Sequence, residues 1–316
     1  MLIYYTDHFV LPLPPGHRFP MRKYAALRKR VAAVAPERLR VPPAATDAEL
    51  ARAHDAAYVA AVCGGTLDAR AQKRIGFPWS PAMIERSRRS AGATIAACRS
   101  ALATGCGINL AGGTHHAHHG HGEGFCVFND AAVAARAMQA EGHASRVLVV
   151  DLDVHQGDGT AEIFTDDASV FTFSMHGRNN FPFRKHGSDL DVELDDDTGD
   201  ATYLATLHAA LPQALACSRP DLAIYLAGAD PFRDDRLGKL ALTKAGLAAR
   251  DGRVLAALRA AGIPVAIAMA GGYAENIDDI VDIHFATVSL ALQHWGHGDA
   301  VGTGRRKPHL RARLPA

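Results

Sequence analysis

Short apolar runs rich in β-branched residues recur along this chain, separated by longer stretches in which apolar positions return at helical spacing. The runs are LIYYT (2–6), GINLAG (107–112), RVLVVDLDV (146–154), SVFTFSM (169–175), DLAIYLAGAD (221–230) and PVAIAMAGG (264–272). They are nearly continuous in apolar residues rather than alternating, as strands buried on both faces are. Helical patterns fill about 22–35, 47–63, 81–104, 129–142, 201–217, 243–261 and 275–295. Strand and helix alternate without an internal repeat or long linker. That order predicts a single α/β domain over 1–304, with a central, mostly parallel sheet flanked by helices. The basic end, 305–316, breaks the pattern and reads as a flexible tail or a docking arm.

In an open parallel sheet, ligands bind beyond the carboxyl ends of the strands. Four runs end there in chemically able residues: GTHHAHH after 107–112, DLDVHQGDG after RVLVV, ADPFRDD after LAIYLAG, and GGYAEN after VAIAMA. The convergence of four such ends is the pattern that points to a site.

Bulk composition narrows the class. Apolar residues make up 48% of the chain, ample for a core, and the formal net charge is +1. No global field draws the chain to nucleic acid or to a membrane surface, and no apolar run is long enough to span a bilayer. The 5 cysteines are odd in number and show no two-residue spacing. Free thiols fit a reducing compartment, so the expected localisation is cytoplasmic. The start lacks the charged flank, apolar run and small-residue site of a signal peptide.

DLDVHQGDG brings Asp151, Asp153, His155 and Asp158 together just past an apolar run. If strand geometry persists, Asp151, Asp153 and His155 share a face, because alternate strand residues point the same way. Asp153 and His155 then chelate one ion, with Asp230 at the end of another run as third ligand. Such a set leaves positions open for water and substrate, as a catalytic zinc site needs. The competing reading is an N-cap cluster for the helix that follows. A second metal ion, as in a binuclear manganese ureohydrolase, lacks its bridging acid here, because Gly157 stands at that position.

With the metal supplied elsewhere, His115 and His116 are available for proton transfer, and Asp151 and Asp158 are free to orient them. This predicts two dyads, His115 with Asp151 and His116 with Asp158. His118, His119 and His121 sit in a glycine-rich loop, where they are either solvated or an accessory metal site. Tyr273 follows a glycine pair, and its hydroxyl either packs or donates to a developing oxyanion. Phe125 and Phe181 either belong to the core or form an apolar slot at the cavity mouth.

GGTHHAHHGHGEGFCVFNDAAVA, VLVVDLDVHQGDGT, AGADPFRDDRLGKLALT and AGGY together resemble the zinc-dependent histone deacetylase family of the arginase–deacetylase superfamily. RDDRLGKLALT, and Gln156 after His155, look most like class IV and its bacterial relatives. The resemblance implies an arginase/deacetylase-like sheet of about eight strands. It implies zinc-dependent hydrolysis of the amide bond of acylated lysine in a protein or peptide, long acyl chains included. The alternatives are an acylpolyamine or other acylated small amine as substrate, or a non-catalytic binding protein on the same fold. It implies Asp153, His155 and Asp230 as ligands of one Zn2+, and His115 and His116 as the tandem histidines, with His116 the general base and acid. Asp151 and Asp158 are implied as their partners, and Tyr273 as the carbonyl-polarising residue. Gly124 and Phe125 match one wall of the acyl-lysine tunnel and Phe181 the other. Asp151, Asp153, His155, Ser174 and Met175 match a K+ site formed partly by backbone oxygens. The rim stretch IGFPWSP (75–81) departs from the family in having no acid, which leaves Trp79 to contact substrate or to cover the core.

Overall fold

The computed structural model describes residues 1–296, so the basic stretch 305–316 lies outside the described residues. Eight strands form one sheet: β1 Leu2–Tyr4, β2 Leu39–Arg40, β3 Cys106–Asn109, β4 Val147–Asp151, β5 Val170–Gly177, β6 Leu190–Leu194, β7 Leu222–Leu226 and β8 Val265–Ala268. Their order is β2-β1-β3-β8-β7-β4-β5-β6, and every pairing is parallel.

Alternate residues of the central strands feed two cores. Leu148, Val150, Tyr225 and Ile267 meet Tyr203, Leu247 and Ile283 on one face. Val147, Val149, Ile224 and Ala266 meet Ile95, Val133 and Met138 on the other. A helix layer on each side of the sheet explains why these strands read as unbroken apolar runs. The strands β3, β8, β7 and β4 are neighbours, so the four polar run-ends named above emerge side by side along one edge.

Two strands escaped the hydrophobic pattern. β2 has only two residues, and β6, LDVEL, lies at the sheet edge with most of its side chains partly solvated. The expected helix 47–63 is two, Asp47–Leu50 and Ala56–Gly64. Thr46 and Glu49 form a capping box for the first, and Asp55 accepts from Ala57 N and Tyr58 N to start the second. The helices Ala69–Ile75 and Asp158–Ile163 are short additions. Among the described residues no helix is long and apolar enough to cross a membrane.

A fully buried ion pair backs the sheet edge. Arg250 Nε donates to Asp251 Oδ1 at 2.8 Å, and both side chains are 0% exposed. Arg250 Nη1 also donates to the carbonyls of Leu152 (3.1 Å) and Gly228 (2.7 Å). Asp251 accepts from Tyr225 and Thr287 as well. One guanidinium therefore ties the loop after β4 to the loop after β7. Removing one member leaves the other charge buried and unpaired, which typically costs about 3–5 kcal/mol. We predict a loss of that size for Arg250→Met in chemical denaturation; a loss under about 1 kcal/mol would contradict a structural role for the pair.

Candidate functional site

β4 ends at Asp151, and the chain then bends, so strand geometry does not carry through to His155 as expected. The bend still brings the predicted ligands together. Ligand-type atoms of Asp153, His155 and Asp230 all lie within 4.8 Å of one another, in a buried setting. Asp153 Oδ1 accepts from His155 N and His155 Nδ1, both at 3.0 Å, and its Oδ2 accepts from Gly271 N at 2.8 Å. Asp230 Oδ1 accepts from Val154 N at 3.0 Å. Its Oδ2 is 3.3 Å from His155 Nδ1, yet is buried without a hydrogen bond. A Cβ on Gly271 would overlap Asp230 Oδ2 and crowd Asp153 Oδ2, so this position must be glycine for the carboxylates to converge.

The charges of this cluster show what it lacks. Burial, then the neighbouring Asp153, pushes the Asp230 carboxyl up to about 7. Burial opposes charge on His155, but its hydrogen bond to Asp153 and the nearby Asp230 carboxylate outweigh it and hold the ring at about 10. The proton on His155 Nδ1 thus stands in for a cation between two carboxylates. Two carboxylates, an imidazole and a buried oxygen without a donor fit a divalent ion such as zinc. The N-cap reading fails, because the helix Asp158–Ile163 starts at Gly157 without a side-chain cap. A side chain at Gly157 would overlap Asp151 Oδ2, so a bridging carboxylate for a second ion has no room.

Both predicted dyads are formed. Nδ1 of His115 donates to Asp151 Oδ2 and Nδ1 of His116 to Asp158 Oδ1, each at 2.6 Å. The adjacent rings lie 4.1 Å apart by centroid. Their surroundings differ. Burial opposes charge on His115, but Asp151 and Asp153 overcome it and raise the ring to about 9. Burial, helped by the charge on His115, lowers His116 to about 4 despite Asp158.

Tyr273 is held by its backbone. Its N–H donates to Asp235 Oδ2 at 2.6 Å, and its carbonyl accepts from Arg236 Nε at 2.9 Å. Burial, then the charges of Asp153 and Asp230, keeps its hydroxyl well above its usual pKa. Phe181 packs edge-on against His116 at 4.9 Å, and Phe125 lies 6.1 Å from the Tyr273 ring. Phe125 has φ 68°, uncommon for a bulky side chain; its N–H donates to Ile75 O at 2.8 Å. With Gly124 these rings line a cavity of about 580 Å³ that also reaches His115, His116, Asp153, His155 and Tyr273.

Other predicted residues lie elsewhere. Ser174 pairs with Asp151 across β4 and β5, while the Met175 side chain is in the core. Trp79 covers the end of the helix Ala56–Gly64, its Nε1 donating to Val62 O at 2.8 Å, and it does not line the cavity. The loop histidines are not simply solvated: His118 Nε2 sits 3.3 Å from Asp158 Oδ2, and His119 Nδ1 donates to Ala53 O. His118 also stacks on His121, and both come within ligand reach of Glu123.

Sequence reasoning passed over the scaffold of this site. Asp130 accepts from Gly113 N, Thr114 N and Thr94 Oγ1, and Asn129 Nδ2 donates to the carbonyls of His115 and Ala117. His54 Nε2 accepts from Asn129 N, and its Nδ1 donates to His118 O. Asp235 gathers Leu237 N, Gly238 N and Tyr273 N. The residue pair Asn129–Asp130 did carry a readable signal, an N-cap residue and an acid opening a helix.

An all-parallel sheet with the buried Asp153–His155–Asp230 cluster and two His–Asp dyads at its carboxyl edge defines a candidate mononuclear metal centre. The histone deacetylase domain model matches residues 17–288. An uncharacterized protein of Picosynechococcus sp. is 48% identical over 286 residues, covering 90% of this chain and 95% of that protein. Histone deacetylase 2 of Arabidopsis thaliana is 34% identical over 192 residues, 60% of this chain and 50% of that protein. The crystal structure of the HDA15 HD domain superposes with a TM-score of 0.75 at 26% identity, over 92% of this chain and 91% of that one. The chain belongs to the histone deacetylase family, in the arginase–deacetylase superfamily.

Asp235 is a positioning residue for Tyr273. In Asp235→Ala the amides of Leu237, Gly238 and Tyr273 lose their common acceptor. We predict faster hydrogen exchange at these amides with the sheet amides unchanged; protection equal to the parent protein would remove Asp235 from this role.

Proposed function

We propose that this protein is a zinc-dependent amidohydrolase that removes acyl groups from lysine side chains. The observation that supports it best is one cavity lined by Asp153 and His155 of the metal-type cluster, by the histidines of both His–Asp dyads and by Tyr273. Bound by Asp153, His155 and Asp230, a zinc ion would supply Lewis acidity, lowering the pKa of a water from ~15.7 toward ~7 and polarising an acyl oxygen.

The chain's own groups account for the proton traffic. Because the Asp158 carboxylate accepts from His116 Nδ1, Nε2 of that ring is the basic nitrogen. Burial keeps His116 neutral, as a general base must be. It takes a proton from the attacking water and returns it to the leaving amine. His115, held charged by Asp151, adds positive charge beside the reacting carbonyl. Tyr273 keeps its proton and donates it as a hydrogen bond to the oxyanion. Phe125 and Phe181, with Gly124, flank the lysine methylenes. In the same reading Asp151, Asp153, His155, Ser174 and Met175 hold a potassium ion, a role supported by the pairing of Asp151 with Ser174.

An acylpolyamine is the second reading, and the mouth of the cavity argues against it. Arg18, Lys73, Arg74 and Lys239 line the cavity, with Glu123 as the acid nearby. A polycation would meet repulsion there.

The test is acid release from acyl-lysine peptides and acylpolyamines, acetyl through myristoyl, with bound metal counted and Asp230→Ala as control. We expect one zinc per chain, turnover of peptides in preference to polyamines, and loss of both metal and turnover in the control. A variant that keeps its turnover without Asp230 would overturn the reading. For Tyr273→Phe we expect kcat to fall by on the order of 10²–10³, the usual cost of an oxyanion donor. A fall below about threefold would take Tyr273 out of the mechanism.

A further inference from the structure

The cavity extends beyond the metal centre along the helix Pro81–Thr104, between Lys23, Tyr24, Met83, Arg86, Ser87 and Ser90. Two cations stand in this inner chamber. Lys23 is buried, and its Nζ lies 5.4 Å from the Tyr273 ring centroid and 5.3 Å from that of Tyr24. It donates to the carbonyls of Ala270 (3.4 Å) and Gly272 (3.2 Å), which leaves one N–H of the ammonium uncommitted. Arg86 is 7% exposed and places its guanidinium 4.3 Å from the Tyr24 ring centroid. Among the described residues it has no ion pair, and its buried Nη1 has no hydrogen-bond partner.

An unpaired guanidinium is among the costliest groups to bury, and it persists where an anion completes it. Its planar fork suits a carboxylate. Lys23 lies against the Tyr273 ring and shares the Tyr24 ring with Arg86, and this sets where the carboxylate belongs: at the far end of an acyl group whose carbonyl lies against the Tyr273 hydroxyl.

We propose that this chamber binds the terminal carboxylate of a short dicarboxylic acyl group, so that succinyl- or glutaryl-lysine is preferred to uncharged acyl-lysine of equal length. The proposal rests on the amidohydrolase reading above. Water adds across the amide, the C–N bond breaks, and the products are the free dicarboxylic acid and the lysine amine. A plain aliphatic chain in the chamber would cover Arg86 and Lys23 without offering them a counter-ion, which also disfavours long fatty acyl groups.

The experiment compares kcat/KM of the zinc-loaded full chain on peptides bearing succinyl-lysine, its neutral methyl ester, glutaryl-lysine and butyryl-lysine. The charged acyl groups should win by on the order of tenfold to a hundredfold, the range of a charge-assisted hydrogen bond. The ratio should collapse in Arg86→Met and survive in part in Arg86→Lys, each checked for folding by thermal unfolding. A parent enzyme that cleaves the methyl ester or butyryl peptide as well as the succinyl peptide overturns the proposal. So does an acyl preference unmoved in Arg86→Lys and Arg86→Met while inhibition by free acetate weakens, since Arg86 would then serve only the released acid. If no amide in the set is cleaved, the amidohydrolase reading fails separately. Calorimetric titration with succinate, butyrate as control, then decides the chamber: Arg86-dependent succinate binding upholds the anion site and its absence overturns it.

Discussion

Asp153 and Asp230 are forced together, buried, at the ends of neighbouring strands, and the rest of the molecule is arranged around that repulsion. Two carboxylates in such a place cannot both stay charged without compensation. The structure supplies donors from several directions: Gly271 N and His155 to Asp153, and Val154 N to Asp230. Behind them Arg250 grips the carbonyls of Leu152 and Gly228, one residue before Asp153 and two before Asp230. The guanidinium thus fixes the separation of the two loops without touching the carboxylates. A parallel sheet suits this task, because adjacent strands deliver their carboxyl ends to the same edge.

The same edge separates two histidines that are adjacent in sequence. Both donate from Nδ1 to a carboxylate at the same distance, so the hydrogen bond alone does not distinguish them. Their distance from Asp153 does. His115 lies 3.9 Å from that carboxylate, which adds to Asp151 in stabilising its charge. His116 faces Phe181 and feels the charge on His115 instead. Environments that push two like groups apart in pKa are what acid–base chemistry near neutrality requires.

Much of this was legible in the chain. Buried strands announce themselves as apolar runs, and the rule that ligands gather beyond their carboxyl ends brought Asp153, His155, Asp230, the dyads and Tyr273 to attention. What stayed hidden has a common cause. β6 is an edge strand, where one face needs no apolar residues. Asp235 and Asp130 act by accepting backbone N–H groups, and a loop's backbone course is not written in residue types. Arg250 lies in an apparently ordinary helix, Lys244–Ala260, and only the fold shows that its side chain reaches the back of the site. The bend after Asp151 was likewise unreadable.

Along its length the cavity changes character, and the change constrains what can enter. Basic side chains, Lys73, Arg74 and Lys239 among them, line it together with the highly exposed Phe183 (89%), so its mouth favours a neutral or acidic peptide surface. Phe125 and Phe181 give the cavity an aromatic lining, which in the proposed reading suits the methylenes of a lysine whose charge is masked by acylation. The innermost wall is cationic again, at Lys23 and Arg86. Basic groups toward the mouth and at Lys23 and Arg86, with aromatic rings beside them, are the features that in the proposed reading disfavour a polycation and accommodate a neutral amide.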